Sequence, residues 1–134
     1  MISIKNVSKH YGSFQVLTDC STDVQKGEVI VVCGPSGSGK STLIKCVNGL
    51  EPFQEGEIWL NGVSVGDPKT GLPKLRAHVG MVFQNFELFP HMSIIDNLTV
   101  AQVKVLGRNP AEAAEKGLKL LDRVGLADQA KKFP

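Results

Sequence analysis

Apolar and polar residues alternate along two stretches near the start of the chain, residues 2 to 7 and roughly 16 to 24. Such alternation is typical of strands with one face on a core and one in solvent, and the Gly-Ser step between the two stretches indicates a turn. Residues 56 to 65 alternate again around Asn61 and Gly62, a pair that favours a hairpin. The chain is therefore predicted to begin with antiparallel β-structure.

Two short apolar runs, residues 29 to 33 and 79 to 83, do not alternate. Unbroken apolar runs rich in β-branched residues are typical of strands buried on both faces of a parallel sheet. Apolar residues at helical spacing predict a helix from Lys40 to Asn48, and Gly49 follows where a helix C-cap would lie. The pattern thus predicts a strand, a glycine-rich loop and a helix in succession.

After residue 90 the pattern becomes helical. One helix is expected from about residue 94 to Gly107, and a second from Pro110, in the first turn, to about Val124. We therefore expect one domain organised as a β-rich part, residues 1 to 90, followed by the start of a helical part, residues 91 to 134.

The loop between the predicted strand and helix reads GPSGSGKST and matches the phosphate-binding motif G-x-x-x-x-G-K-[ST] in the context that motif requires. Glycines let backbone N–H groups converge on one anion, and a helix N-terminus adds the positive end of its dipole. Lys40 supplies charge for the β- and γ-phosphates, and Ser41 offers a hydroxyl to Mg²⁺. The predicted phosphate site comprises Gly34, Pro35, Ser36, Gly37, Ser38, Gly39, Lys40, Ser41 and Thr42.

Composition narrows the classes of protein that could use this loop. The chain has 134 residues, 42% of them hydrophobic, and a formal net charge of +2 without a basic stripe, which argues against disorder and against a nucleic-acid partner. The N-terminus lacks the apolar stretch of a signal peptide, so export is not expected. The three cysteines are predicted to be reduced, partly buried thiols: Cys20, Cys33 and Cys46. The three histidines share no metal-ligand spacing: His10, His78 and His91.

The phosphate motif alone leaves kinases, GTPases, helicases and transport ATPases open, although a GTPase is disfavoured because Asn-Lys-x-Asp is missing. The order of GPSGSGKST, NGLEPFQEGEIWLNG and VGMVFQNFELFPHMSIIDNLTVAQ resembles the nucleotide-binding subunits of ABC transporters, specifically bacterial polar amino acid importers. The resemblance covers essentially the whole chain and is greatest to the ATPases of glutamate/aspartate uptake systems. It implies a P-loop NTPase (RecA-like) α/β core with an N-terminal antiparallel β subdomain and the start of an α-helical subdomain.

The resemblance also implies roles for residues outside the loop. Tyr11 would stack on adenine and Val16 would pack near the base and ribose; a tyrosine half-buried at a strand edge is the alternative for Tyr11. Gln84 would be the Q-loop glutamine, whose amide reaches Mg²⁺ or the attacking water, unless it is only a polar strand-end residue. The segment after it would meet a membrane-spanning permease through exposed apolar residues, which a loop folded on its own core would also use: Phe86, Leu88, Phe89, Met92.

Several motifs of the resembled family are absent from these residues. They are the LSGGQ signature, the Walker B aspartate with its adjoining glutamate, the D-loop and the switch histidine, and no apolar run after Thr42 ends in a suitable acid. We therefore expect the chain to be the N-terminal part of a longer protein, with an incomplete fold and no ATP turnover by itself. A sheet without its later strands would also leave apolar strands uncovered.

Two functions follow as expectations. In the first, the complete protein hydrolyses ATP to import polar amino acids, as a homodimer of ATPase subunits bound to permease subunits at the cytoplasmic face of the bacterial inner membrane, and served by a periplasmic amino acid-binding protein. In the second, this chain alone is a nucleotide-binding or partner-docking module without turnover. Soluble ABC ATPases of translation or DNA repair are disfavoured by the importer-like segment after Gln84 and by the absence of basic stripes.

Overall fold

The computed structural model describes all 134 residues and divides them into two compact units, Met1–Gly80 and Met81–Pro134. The first unit contains the β-structure and the glycine-rich loop, and the second contains the long helices. No helix in either unit has both the length and the apolar composition needed to cross a bilayer.

The first unit is built on one antiparallel four-stranded sheet with the strand order β2-β1-β3-β4. The strands predicted from alternation, residues 2 to 7, 16 to 24 and 56 to 65, are confirmed. The hairpin turn falls where Asn61 and Gly62 were expected to form it, with φ of 48° and 83°. Positive φ at both central residues is typical of a type I′ turn, which matches the twist of the flanking strands. The strands are β1 Ile2–Tyr11, β2 Phe14–Val24, β3 Glu55–Leu60 and β4 Val63–Ser64.

Two helices belong to this unit, α1 Lys40–Val47 and α2 Leu72–Arg76. The α1 helix lies where the spacing predicts it, whereas α2 was not predicted, because five residues are too short to show helical periodicity. Buried side chains of β1, β2 and β3 form one core with residues from both helices and with Val65, which follows β4. The members are Ile4, Val7, Leu17, Cys46, Ile58, Leu60, Val65 and Leu75. The α1 helix is thereby fixed against the sheet at the end of the glycine-rich loop.

The two apolar runs predicted as buried parallel strands, residues 29 to 33 and 79 to 83, are not strands in the structure. Val31 is 78% exposed and Val82 is 98% exposed. A strand exists only through hydrogen bonds to a neighbouring strand, and neither run is part of the sheet. Cys33, at the end of the first run, is consequently exposed rather than partly buried, while all three cysteines are free thiols as expected.

The second unit contains α3 Ile94–Lys104, α4 Pro110–Arg123 and a short 3-10 helix, Ala127–Gln129. Both long helices are confirmed, and each begins at a capping side chain: Ser93 accepts a hydrogen bond from the Asp96 N–H, and Asn109 accepts one from the Ala111 N–H. The last residues return to the start of α3, where the N–H groups of Ile94 and Ile95 donate to main-chain carbonyls of residues 132 and 130. The second unit is therefore a helical hairpin closed by the residues that follow it.

Candidate nucleotide-binding site

The glycine-rich loop runs from Gly34 to Gly39 and leads directly into α1. Its last residue, Gly39, has φ of 87° and is buried, and a Cβ added there would lie 2.9 Å from the main-chain oxygen of Val16. The end of the loop therefore rests directly on β2. Only glycine combines that backbone conformation with that close approach.

Lys40, the first residue of α1, folds its side chain back over the loop. Its ammonium group donates hydrogen bonds to the carbonyl oxygens of Gly34 at 2.8 Å and Pro35 at 2.6 Å, and it lies 3.4 Å from the Ser38 hydroxyl oxygen. An ammonium group has three N–H donors, and oxygen atoms of the loop itself provide a partner for each of them. Charge-assisted bonds to phosphate oxygens are stronger than bonds to neutral carbonyls, so an entering polyphosphate competes well for this group.

The N-terminus of α1 supports the same interpretation. The first N–H groups of a helix lack intrahelical acceptors, and here no side chain caps them and no acidic residue lies in the first turn. The positive end of the helix dipole is therefore left for an external anion. Residues 34 to 38 and Ser41 are exposed at this end, and Lys40 and Thr42 are half-buried.

Tyr11, at the end of β1, is 48% exposed. Partial burial and the neighbouring Glu51 carboxylate raise the pKa of Tyr11 above its ordinary value. The side-chain hydrogen bond between Tyr11 and Thr42 lowers that pKa, but by less. Because Thr42 belongs to α1, the tyrosine lies beside the helix that begins at the phosphate loop. Val16 is half-buried and packs on the core beside Gly39. The structure thus brings the predicted base-binding and phosphate-binding residues of the first unit together.

Gln84 belongs to the second unit and is exposed, in a bend after residues 79 to 83. The segment that follows it presents apolar side chains to solvent: Phe86 is 94% exposed and Phe89 is 51% exposed. Leu88 is also exposed, and Met92 is half-buried. The exposed aromatic residues are therefore available for a partner of this unit.

The Asn97 side chain, on α3, anchors that segment. Its amide donates to the carbonyl oxygens of Phe89, Met92 and Ser93 at 3.1, 3.1 and 3.0 Å, and its oxygen accepts from the Phe89 N–H at 2.8 Å. Sequence reasoning missed this residue, because an asparagine within the first turns of a helix carries no signal that distinguishes an anchor from a solvated side chain. It also missed Lys9, a charged residue that is buried on β1.

Side chains that commonly bind metal ions are not clustered in this chain. No group of three or more His, Cys, Asp or Glu side chains is placed to hold a metal ion. For Mg²⁺ the first unit offers the exposed Ser41 hydroxyl at the N-terminus of α1, an oxygen ligand of the type that Mg²⁺ prefers. The Ser41 hydroxyl therefore fits an Mg²⁺ ion that would be bound together with nucleotide phosphates and water.

The fold and the loop define a class of protein. The profile of the ABC transporter family matches residues 17–134, so this chain belongs to that family. The solved dimeric structure described as a post-hydrolysis state of the ATP-binding cassette MJ0796 bound to ADP and Pi superposes with a TM-score of 0.90 at 28% identity, over 100% of this chain and 62% of that chain. The expectation of a partial P-loop NTPase fold is confirmed by this likeness.

Among characterised proteins, the chain is similar to the glutamate/aspartate import ATP-binding protein GltL of Escherichia coli (strain K12), with 73% identity over 100% of this chain and 56% of GltL. It is also similar to the glutamine transport ATP-binding protein GlnQ of Bacillus subtilis (strain 168), with 46% identity over 100% of this chain and 55% of GlnQ. The chain therefore spans somewhat more than half the length of these relatives. The resemblance to amino acid importers expected from the sequence is confirmed.

Proposed function

We propose that the protein to which these residues belong is the ATP-hydrolysing subunit of an ABC importer for polar amino acids, and that these residues bind the nucleotide. The observation that carries the proposal is the phosphate loop, in which Lys40, the glycine backbone and the N-terminus of α1 converge, with Tyr11 beside the same helix. Membership of the ABC transporter family and 73% identity to an import ATP-binding protein support it.

The chemistry follows from the residues of the loop. Lys40 exchanges its carbonyl partners for β- and γ-phosphate oxygens, and the main-chain N–H groups of residues 36 to 42, which follow the proline of the loop, hold the phosphate chain. The Ser41 hydroxyl would ligate Mg²⁺, which neutralises charge on the phosphates when it is bound. Gln84 is proposed to contact the same ion or the attacking water, because an amide accepts and donates hydrogen bonds without titrating.

The substrate and partners are proposed from the relatives. Glutamate or aspartate is the proposed cargo, since GltL is described as a glutamate/aspartate import protein. We place the protein at the cytoplasmic face of the inner membrane, bound to permease subunits through the exposed segment that contains Phe86 and Phe89, with a periplasmic amino acid-binding protein acting indirectly. A homodimer of ATPase subunits is proposed because the similar cassette is described as dimeric.

One observation favours a second function for the chain by itself. No run of four apolar residues after Thr42 ends in an aspartate or glutamate, and no group of three or more acidic, histidine or cysteine side chains is placed to hold a metal ion. Hydrolysis needs an acid that holds Mg²⁺ and another that orients the water. The 134-residue chain would then bind nucleotide, or dock a partner, without turnover.

The test measures ATP binding and hydrolysis by the chain and by Lys40→Ala. Loss of charge-assisted bonds to phosphate is expected to weaken binding by about 10- to 100-fold. Lys45→Ala is the matched control, because Lys45 carries the same charge in the last turn of the same helix and is expected to be neutral. Equal affinity of Lys40→Ala and the unchanged chain would overturn the proposed site. Turnover that disappears in Lys40→Ala would overturn the expectation that the chain alone is inactive.

A further inference from the structure

Lys9 is buried in the first unit although it carries a charge. It lies on β1 and is 2% exposed, as buried as the apolar residues of the core. Lysine is almost never fully buried unless its ammonium group is paired, since moving the charge out of water is costly. An apolar residue at this position would avoid that cost, so the charge requires an explanation beyond packing.

The ammonium group of Lys9 has three partners. It donates to the carbonyl oxygen of Pro52 at 2.6 Å, lies 3.6 Å from a carboxylate oxygen of Glu51, and lies over the Tyr11 ring at 4.3 Å from its centroid. Glu51 and Pro52 belong to the segment that follows α1, and Tyr11 ends β1. The buried ammonium group therefore contacts both the segment that follows α1 and the aromatic ring.

The tyrosine ring is held at two points. The Lys9 ammonium covers one face, and the hydroxyl end lies beside Glu51 and Thr42. Tyr11 nevertheless remains 48% exposed. Because Lys9 covers one face of the ring, the opposite face is the one left open to solvent. A flat ring with one face covered by protein and the other open is a suitable platform for a planar base.

We propose that Lys9 is a positioning residue that holds the Tyr11 ring, by a cation–π contact on its inner face, so that the outer face stacks on the purine of the bound nucleotide. This inference rests on the proposed nucleotide-binding function. The ammonium also draws π-electron density toward the inner face, which lowers repulsion between the outer face and the electron-rich purine. Lys9 itself does not touch the nucleotide.

The test compares ATP with inorganic triphosphate, which has the phosphate chain but no base. Affinities of the 134-residue chain for both are measured in the unchanged protein and in Lys9→Met, which keeps the length of the side chain and removes the charge. We expect Lys9→Met to weaken ATP binding about 5-fold and to leave triphosphate binding unchanged. The ratio of the two affinities does not depend on the folded fraction of each variant, so general destabilisation would not imitate the result.

Two further variants complete the design. Lys5→Met is the matched control, because Lys5 is an exposed lysine on the same strand, and its ratio should equal that of the unchanged chain. In a Tyr11→Leu background, Lys9→Met should no longer change the ratio. A ratio unaffected by Lys9→Met in the unchanged background, or equally affected in the Tyr11→Leu background, would overturn the role of Lys9. Failure of the unchanged chain to bind either ligand would instead overturn the proposed function.

Discussion

The contact between the phosphate loop and β2 can be tested at Gly39. A residue with a Cβ in the left-handed region costs about 1 to 2 kcal/mol, and Gly39 has φ of 87°. In Gly39→Ala the Cβ would also lie 2.9 Å from the Val16 carbonyl oxygen and 2.9 Å from Cδ2 of Leu17. Forced contacts of this kind cost about 1 to 3 kcal/mol. We therefore expect Gly39→Ala to lower the free energy of unfolding by about 2 to 5 kcal/mol.

Gly37→Ala separates the two contributions. Gly37 has φ of 80°, close to that of Gly39, but a Cβ there would meet no atom within 4 Å. It should lose only the conformational part, about 1 to 2 kcal/mol. The assay is urea unfolding followed by the fluorescence of Trp59, the single tryptophan, which lies on β3 of the same unit. Midpoints of transitions with equal slopes then report stability directly.

Comparison of the two variants tests whether the end of the loop contacts β2 in solution. If Gly39→Ala and Gly37→Ala lose the same free energy, the steric contact between the end of the loop and β2 is absent in solution. The phosphate loop would then not rest on the strand that carries Val16, and the grouping of base-binding and phosphate-binding residues would lose its structural basis. A loss in Gly39→Ala that exceeds the loss in Gly37→Ala by about 1 kcal/mol or more supports the contact.

Other contacts give predictions of their own. Asn97→Asp should lower the free energy of unfolding of the second unit by about 2 to 3 kcal/mol at neutral pH, since a carboxylate would face carbonyl oxygens of residues 89 to 93. Asn109→Asp, at a helix cap, should be neutral. Urea unfolding followed by far-ultraviolet circular dichroism measures both variants, because the second unit is helical and the single tryptophan lies in the first. Absorbance titration of Tyr11, the single tyrosine, should show a lowered pKa in Glu51→Gln. Because the pKa of Tyr11 is raised in the folded state, the neutral phenol stabilises the fold at neutral pH, and this contribution is lost as pH rises through the folded pKa. An unchanged or higher pKa in Glu51→Gln would contradict the contact.

The amino-acid sequence alone predicted the elements whose causes are local. The β1-β2 and β3-β4 hairpins follow from alternation and from turn residues such as Asn61 and Gly62. The helices α1, α3 and α4 follow from apolar spacing with stop and cap residues at their ends. The phosphate loop was predicted because its glycines, Lys40 and Ser41 are adjacent in the chain, so their chemistry does not depend on distant contacts.

The tertiary structure alone decided the features that depend on distant residues. Residues 29 to 33 and 79 to 83 have the composition of buried strands, yet they lie outside the sheet because a strand needs hydrogen-bonding neighbours and composition cannot supply them. A lysine on an alternating strand has no sequence signal for burial. Lys9 is buried because β1 faces the segment after α1, where its ammonium group donates a hydrogen bond to the Pro52 carbonyl and forms an ion pair with Glu51. Local patterns specify elements, whereas the pairing of a charge or a strand is specified by what the fold places beside it.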